Sequence, residues 1–256
     1  MRGLAGRRVL ISGGSSGIGE ATAQRFLEEG AKVHLCGVSA EEVETALARL
    51  RRYGSVTGEQ ADVRKTADID RLISHAIAEM DGLDVLVNNA GVAWREAFLE
   101  ITSHNWDEIV DVNLRGSFLI AQAAARVLVA QGRGGSIINM ASTNGLAGEV
   151  DYAHYNAAKA GVLLLTKTMA VELGGHGIRV NALCPGAIST PLNLKNPPVQ
   201  RSADNPLANL AKPRIPLGRR GLTSEVAAAY AFLASDDASY ITGAEIKIDG
   251  GQTAVM

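Results

Sequence analysis

Short apolar runs and amphipathic stretches alternate along the whole chain. Residues 8–12 read as a β-strand, followed by a helical pattern over 20–29 that Gly30 closes. A second strand is expected at 32–36. Residues 40–52 then place Val43, Leu47 and Leu50 at helical spacing. A weak strand at 56–61 precedes a helix over 67–80, with Ile69, Leu72, Ile73 and Ile77 on one face. The run Asp84-Val85-Leu86-Val87 has the continuous apolar character of a strand covered on both faces of a parallel sheet. Beyond it the pattern predicts one long helix at 106–131, a strand at 136–140, a helix at 152–173 and a strand at 179–183. A helix at 224–235 and a strand at 245–248 complete the chain.

Strand–helix alternation with short connections predicts a doubly wound parallel sheet, and such sheets bind ligands at the carboxyl ends of their strands. The glycine-rich turn after residue 12, then Gly37 to Ser39, Asp62-Val63 and Asn88 to Gly91 all fall at such ends and should line one crevice. No linker or internal repeat divides the chain, so residues 1–256 are expected to form one α/β domain. Residues 187–222 hold six of the seven prolines without strong periodicity. A loop of that length in a compact domain has a functional or mobile character.

Composition narrows the function without choosing it. A 46% apolar and 20% charged chain with formal net charge −2 has the balance of an ordinary globular enzyme. It offers no basic excess for nucleic acid or an anionic membrane. No run reaches the ~18 apolar residues of a membrane span. Val9-Leu10-Ile11 is too short for the core of a signal peptide, and the default expectation is a cytoplasmic protein. Cys36 and Cys184 each end an apolar run and are expected to be buried free thiols. Two cysteines supply neither metal-ligand spacing nor a disulfide framework, so no metal is expected.

The candidate chemistry begins at Gly13-Gly14-Ser15-Ser16-Gly17-Ile18-Gly19, between the first strand and the first helix. Glycines there let backbone approach a ligand closely, and a helix N-terminus offers free N–H groups to phosphate. At the end of the second strand, where an acidic residue would take the adenosine ribose of NAD, the chain has Gly37-Val38-Ser39. Ser39 suits either a hydroxyl or a 2′-phosphate, so NAD and NADP both stay open. Tyr155 and Lys159 stand four residues apart, on one face of the expected helix. A cation there favours the ionised phenol, whose reference pKa is about 10, and should lower it. Tyr152 is the competing phenol, but it lies two turns from Lys159.

Together these residues resemble the short-chain dehydrogenase/reductase family. The resemblance rests on Ser12-Gly13-x-x-x-Gly17-x-Gly19, Asp62, Asn88-Asn89-Ala90-Gly91, Asn113, Ser142, Tyr155-x-x-x-Lys159, Pro185-Gly186 and Asp249-Gly250-Gly251. Ser12 stands where the family usually has Thr. The resemblance implies a single Rossmann-type domain with a seven-stranded parallel sheet and a homodimer or homotetramer. It implies a catalytic tetrad of Asn113, Ser142, Tyr155 and Lys159. In that scheme Ser142 donates to the substrate oxygen, Lys159 also bonds the nicotinamide ribose, and Asn113 holds a water in a proton relay. Ser12, Gly13, Ser15, Ser16, Gly17, Ile18 and Gly19 would take the dinucleotide, together with Ser39, Ala90, Gly91, Tyr155, Lys159, Pro185 and Gly186. Asp62-Val63 resembles the adenine-contacting pair, and Ile188 and Thr190 match positions that hold the nicotinamide carboxamide and the phosphates. Asn89 either contacts cofactor or ties neighbouring strand ends together.

The substrate site is then expected to be bounded by Trp94, residues 144–154 and the loop 192–216, with Ser142 and Tyr155 at the reacting oxygen. Asn144, Glu149, Asp151, His154 and Asn193 make that wall polar, which favours a sugar or polyol. A 3-oxoacyl-thioester or other ketone is the alternative substrate. A cofactor-binding regulator without turnover is the reading from another class, and the complete tetrad argues against it.

Overall fold

The computed structural model describes residues 1–190 and 215–254. Within them a parallel sheet is built from β1 (Arg8–Ser12), β2 (Lys32–Gly37), β3 (Val56–Gln60), β4 (Val85–Asn88), β5 (Gly135–Met140), β6 (Ile178–Pro185) and β7 (Glu245–Ile248). The strand order is β3-β2-β1-β4-β5-β6-β7. The order reverses between β1 and β4, which pair in register from Val9↔Val85 to Ser12↔Asn88. Crossover topology opens a crevice there, at the carboxyl ends of the strands.

Both faces of the sheet are covered, which is why its strands read as nearly continuous apolar runs. Val9, Ile11, Val85, Val87 and Ile138 pack under α1 (Gly17–Glu28), α2 (Ala40–Leu50) and α7 (Thr223–Ala234). Leu10, Leu86 and Ile137, one residue out of phase, face α3 (Thr66–Met80), α5 (Ser117–Gln131) and α6 (Ala153–Leu173). Each such side chain contributes ~1.5–3 kcal/mol on burial. An exposed pair such as Arg7–Asp236 contributes about 0–1 kcal/mol, so the two apolar layers dominate stability. Cys36 and Cys184 are free and buried, and burial pushes both thiols up to about 12.

One predicted element is corrected. The long helix expected at 106–131 is α4 (Ser103–Val110), a π-helical turn over Asp111–Gly116, and then α5. A π turn strands a backbone carbonyl, and the side chain of Asn113 takes the one at Ile109, donating from Nδ2 at 2.9 Å. Gly116 fits because a Cβ there would come within 2.8 Å of Val63 Cγ2. The interruption therefore sets where Asn113 points.

The fold buries two histidines, His34 at 2% and His154 at 0% exposure. Burial lowers the pKa of both. A depressed folded-state pKa means the unfolded chain binds the extra protons, so the stabilisation is complete above the unfolded value of about 6.5 and is lost as pH falls through the folded one. Urea unfolding is expected to show a falling midpoint as pH drops below about 6.5, before the carboxylates titrate. His34→Asn should flatten that slope; an unchanged slope would remove His34 from the account.

Candidate active site

Five strand ends meet at the crevice: Ser12, Gly37, Asn88, Met140 and Pro185. A row of buried polar side chains ties three of them together. Ser12 Oγ accepts from the N–H of Asn89 (3.0 Å) and of Ala90 (3.1 Å). Asn88 Nδ2 donates to Asn139 Oδ1 and to the Ser117 carbonyl, both at 2.9 Å. Asn139 Nδ2 continues the row to Thr166 Oγ1 at 2.9 Å. Neither Asn139 nor Thr166 was anticipated as a site residue, although an Asn following Ile137-Ile138 in an apolar strand is visible in the sequence. Each bond is satisfied and buried, so breaking the row leaves polar groups without water. Asn88→Ala is expected to lower stability by ~2–3 kcal/mol in urea unfolding.

Several residues expected to touch cofactor are occupied in holding this frame. Ser12 is 0% exposed, with its hydroxyl committed to the 88–90 turn. Asn89 Nδ2 donates to the carbonyls of Ser12 (3.2 Å) and Gly13 (3.0 Å), bonds that tie the ends of β1 and β4 together. Ser39 caps α2, its hydroxyl accepting from Glu42 N–H at 3.3 Å. Asp62 is held by Arg64 through the guanidinium at 2.7–3.0 Å, which with the Arg64 backbone N–H keeps its carboxyl below the usual range. Val63 and Ile188 are buried, the latter bridged to Gly221. Gly186 donates from N–H to Ile248 at 3.1 Å, and Thr190 is half-buried beyond it.

The glycine turn itself has the shape of a phosphate cradle. Gly13 adopts φ +63, a left-handed conformation that favours glycine. A Cβ on Gly19 would run into the Gly13 carbonyl and come within 2.8 Å of Asn89 Nδ2. Ser15 is nearly buried beside Gly37, whereas Ser16 is exposed at the N-cap of α1 with no side-chain bond of its own. Ile18 is half-buried on the first turn. A helix N-terminus behind a glycine backbone fits a dinucleotide pyrophosphate.

Tyr155 and Lys159 project from α6 beside this turn. Lys159 is 2% exposed and donates from Nζ to the Met140 carbonyl at 2.8 Å. Its ammonium lies 5.6 Å from the centroid of the Tyr155 ring. A single point above Gly91, where a Cβ would sit, is 2.8 Å from Asn113 Oδ1 and 3.6 Å from Lys159 Nζ. Asn113 donates both amide hydrogens, to Ile109 and to Val92 (2.8 Å), and turns its Oδ1 towards this point with no hydrogen-bond partner. The Ser142 hydroxyl accepts from Asn144 N–H at 3.1 Å and also acts on the Tyr155 phenol. The tetrad residues thus converge, from the π turn, the end of β5 and one face of α6.

The acidity of the centre differs from the expectation. Burial pushes the Tyr155 phenol up to about 12, and Ser142 offsets only part of that rise. Burial pulls Lys159 down to about 8. Desolvation disfavours whichever form is charged, and it sets the direction for both groups here. At neutral pH the phenol keeps its proton and the lysine keeps its charge.

The expected substrate wall is also rearranged. Trp94 and Asn144 are half-buried along it, and Asn144 Nδ2 donates to Asn156 Oδ1 at 2.9 Å. Glu149 is paired with Arg95 Nη2 at 2.6 Å. His154 was expected on the wall; it is 0% exposed, because its ring packs edge-on against Trp94 with centroids 5.7 Å apart. Asn193 and loop residues 191–214 lie outside the described residues.

Fold and site together define a Rossmann-type oxidoreductase. Comparison with known proteins agrees. The profile of the family described as Enoyl-(Acyl carrier protein) reductase matches residues 13–253. The chain is 39% identical to the 3-oxoacyl-(acyl-carrier-protein) reductase of Thermotoga maritima, covering 97% of this chain and 98% of that one. It is 39% identical to the L-rhamnose-1-dehydrogenase of Scheffersomyces stipitis, covering 97% and 96%. Among solved structures, levodione reductase superposes with a TM-score of 0.89 at 37% identity, over 98% of this chain and 99% of the other. The chain belongs to the short-chain dehydrogenase/reductase family. It is an NAD(P)-dependent dehydrogenase acting on CH–OH groups. No helix among the described residues is long and apolar enough to cross a membrane.

Proposed function

We propose that the protein interconverts a secondary alcohol and a ketone, with Tyr155 as the proton donor and acceptor at the substrate oxygen. The observation that carries the reading is the convergence of Tyr155, Lys159, Ser142 and Asn113 beside the Gly13–Gly19 turn. The nicotinamide, when bound, supplies or accepts the hydride. Gly13, Ser15, Ser16, Gly17, Ile18 and Gly19 would hold its phosphates, with Ala90, Gly91, Pro185, Gly186 and Thr190 along the rest of the crevice. Ser142 stabilises charge developing on the substrate oxygen. Tyr155 gives that oxygen a proton, and Lys159 supplies the positive charge that offsets the phenolate left behind. The orphan Asn113 Oδ1 supports a role in passing the replacement proton towards Lys159.

The substrate class we favour is a hydroxylated, uncharged compound, a sugar or polyol. The L-rhamnose-1-dehydrogenase relative supports it. Glu149 and His154, engaged internally, no longer add to it. A 3-oxoacyl thioester is the second reading, supported by the Thermotoga maritima relative. We further infer a cytoplasmic homotetramer or homodimer; Phe98, Leu99, Leu164 and Val171 are exposed apolar side chains that support self-association. Light scattering tests it.

Absorbance at 340 nm over a panel of polyols, sugars, ketones and 3-oxoacyl thioesters, with each of NAD and NADP, tests the whole reading. Turnover of polyols or sugars is expected. Thioester turnover alone would transfer the assignment to the second reading. Tight cofactor binding with no turnover of any compound would return a cofactor-binding regulator.

A further inference from the structure

Helix α6 begins without a side-chain cap, since Tyr152 at the N-cap position accepts no such bond. The first N–H groups of any helix lack partners within it. Here one of them belongs to Tyr155 itself, and it donates to Nδ1 of His154 at 2.9 Å. His154 is fully buried against Trp94, and its Nε2 lies 3.8 Å from Glu96 Oε2. Glu96 is fixed in turn: Asn105 Nδ2 donates to both of its oxygens at 3.0–3.1 Å, and Trp94 Nε1 donates at 3.4 Å.

The same short segment grips the turn leading into the helix. The Glu96 backbone N–H donates to the Asp151 carbonyl at 2.9 Å. Asp151 has φ +70, a left-handed conformation that Asp adopts more readily than most residues. Arg95 bonds Glu149 and the Val150 carbonyl, and its guanidinium sits 4.7 Å from the centroid of the Tyr152 ring. Residues 95 and 96 thus hold the segment leading into α6 from outside the helix.

We propose that Glu96 and His154 form a positioning pair for Tyr155, fixing the backbone of the first turn of α6 and with it the phenol. Neither touches the reacting atoms. The imidazole accepts from the Tyr155 N–H, while the Glu96 carboxylate faces the other ring nitrogen at 3.8 Å, a charge contact and not a hydrogen bond. The pair rests on the reading of Tyr155 as the proton donor, and its test separates the two.

Glu96→Ala and Glu96→Gln are compared with the wild-type protein using a ketone that the latter reduces. Glu96→Ala is expected to lower kcat about tenfold, the scale of a small misplacement of a catalytic group, with cofactor dissociation unchanged. Glu96→Gln keeps an oxygen acceptor and the side-chain shape, and should recover most of kcat. Amide hydrogen exchange gives a readout independent of turnover: the Tyr155 N–H should lose protection in Glu96→Ala. Unchanged kcat and unchanged protection would overturn the proposal. So would equal losses in both variants accompanied by lost cofactor binding, which mark a general structural role. Full turnover in Tyr155→Phe is a different result, since it overturns the catalytic reading and not merely the pair.

Discussion

Tyr155→Phe is expected to reduce kcat by about a thousandfold while leaving cofactor affinity and unfolding midpoint unchanged. General acid–base groups contribute ~10²–10⁴-fold. The middle of that range applies: Tyr155 is the group proposed to move the proton at the substrate oxygen, and burial, which pushes its phenol up to about 12, keeps it protonated at neutral pH. Ser142 remains as a hydrogen-bond donor but has no comparable proton to give. The sign with pH follows. Ketone reduction should hold steady through neutrality, where the phenol is protonated. Alcohol oxidation should rise with pH as the phenolate grows in population towards about 12. A pH series in both directions checks this, and parallel profiles would contradict it.

Gly19→Ala should act on the other half of the site. The added methyl would meet the Gly13 carbonyl and Asn89 Nδ2. Those are a backbone atom and an amide already bonded to Ser12 and Gly13, so neither yields cheaply. Overpacking of this kind costs ~1–3 kcal/mol of stability, and the turn displaced to relieve it is expected to bind cofactor at least about tenfold more weakly. Cofactor fluorescence titration measures it. Gly174→Ala is the control, because a Cβ there meets nothing within 4 Å. Equal affinity in both variants would mean the turn does not cradle the cofactor.

The sheet was legible because both its faces are buried, so runs such as Val85-Leu86-Val87 announce strands without any alternation. Strand ends locate the crevice by topology alone, and the glycine turn and the Tyr155–Lys159 spacing are local patterns. What escaped the sequence depends on depth and on contacts between distant segments. The π turn at Asn113 forms because the Asn113 amide can take the Ile109 carbonyl while Gly116 admits Val63, and no helical periodicity reports that. His154 looked like a polar wall residue, yet Trp94 covers it. Tyr155 next to a lysine suggested a lowered pKa, and only burial reverses the direction. Asn139 after two isoleucines was the one visible trace of the Ser12–Asn88–Asn139–Thr166 framework.

In the proposed reaction hydride passes directly between nicotinamide and the substrate carbon while Tyr155 attends to the oxygen. The direct measurement is product mass after turnover of a ketone with cofactor deuterated at C4 of the nicotinamide. One deuterium is expected at the carbinol carbon, from one face of the ring, and none there when the label is supplied as heavy water. Solvent deuterium at that carbon would contradict it.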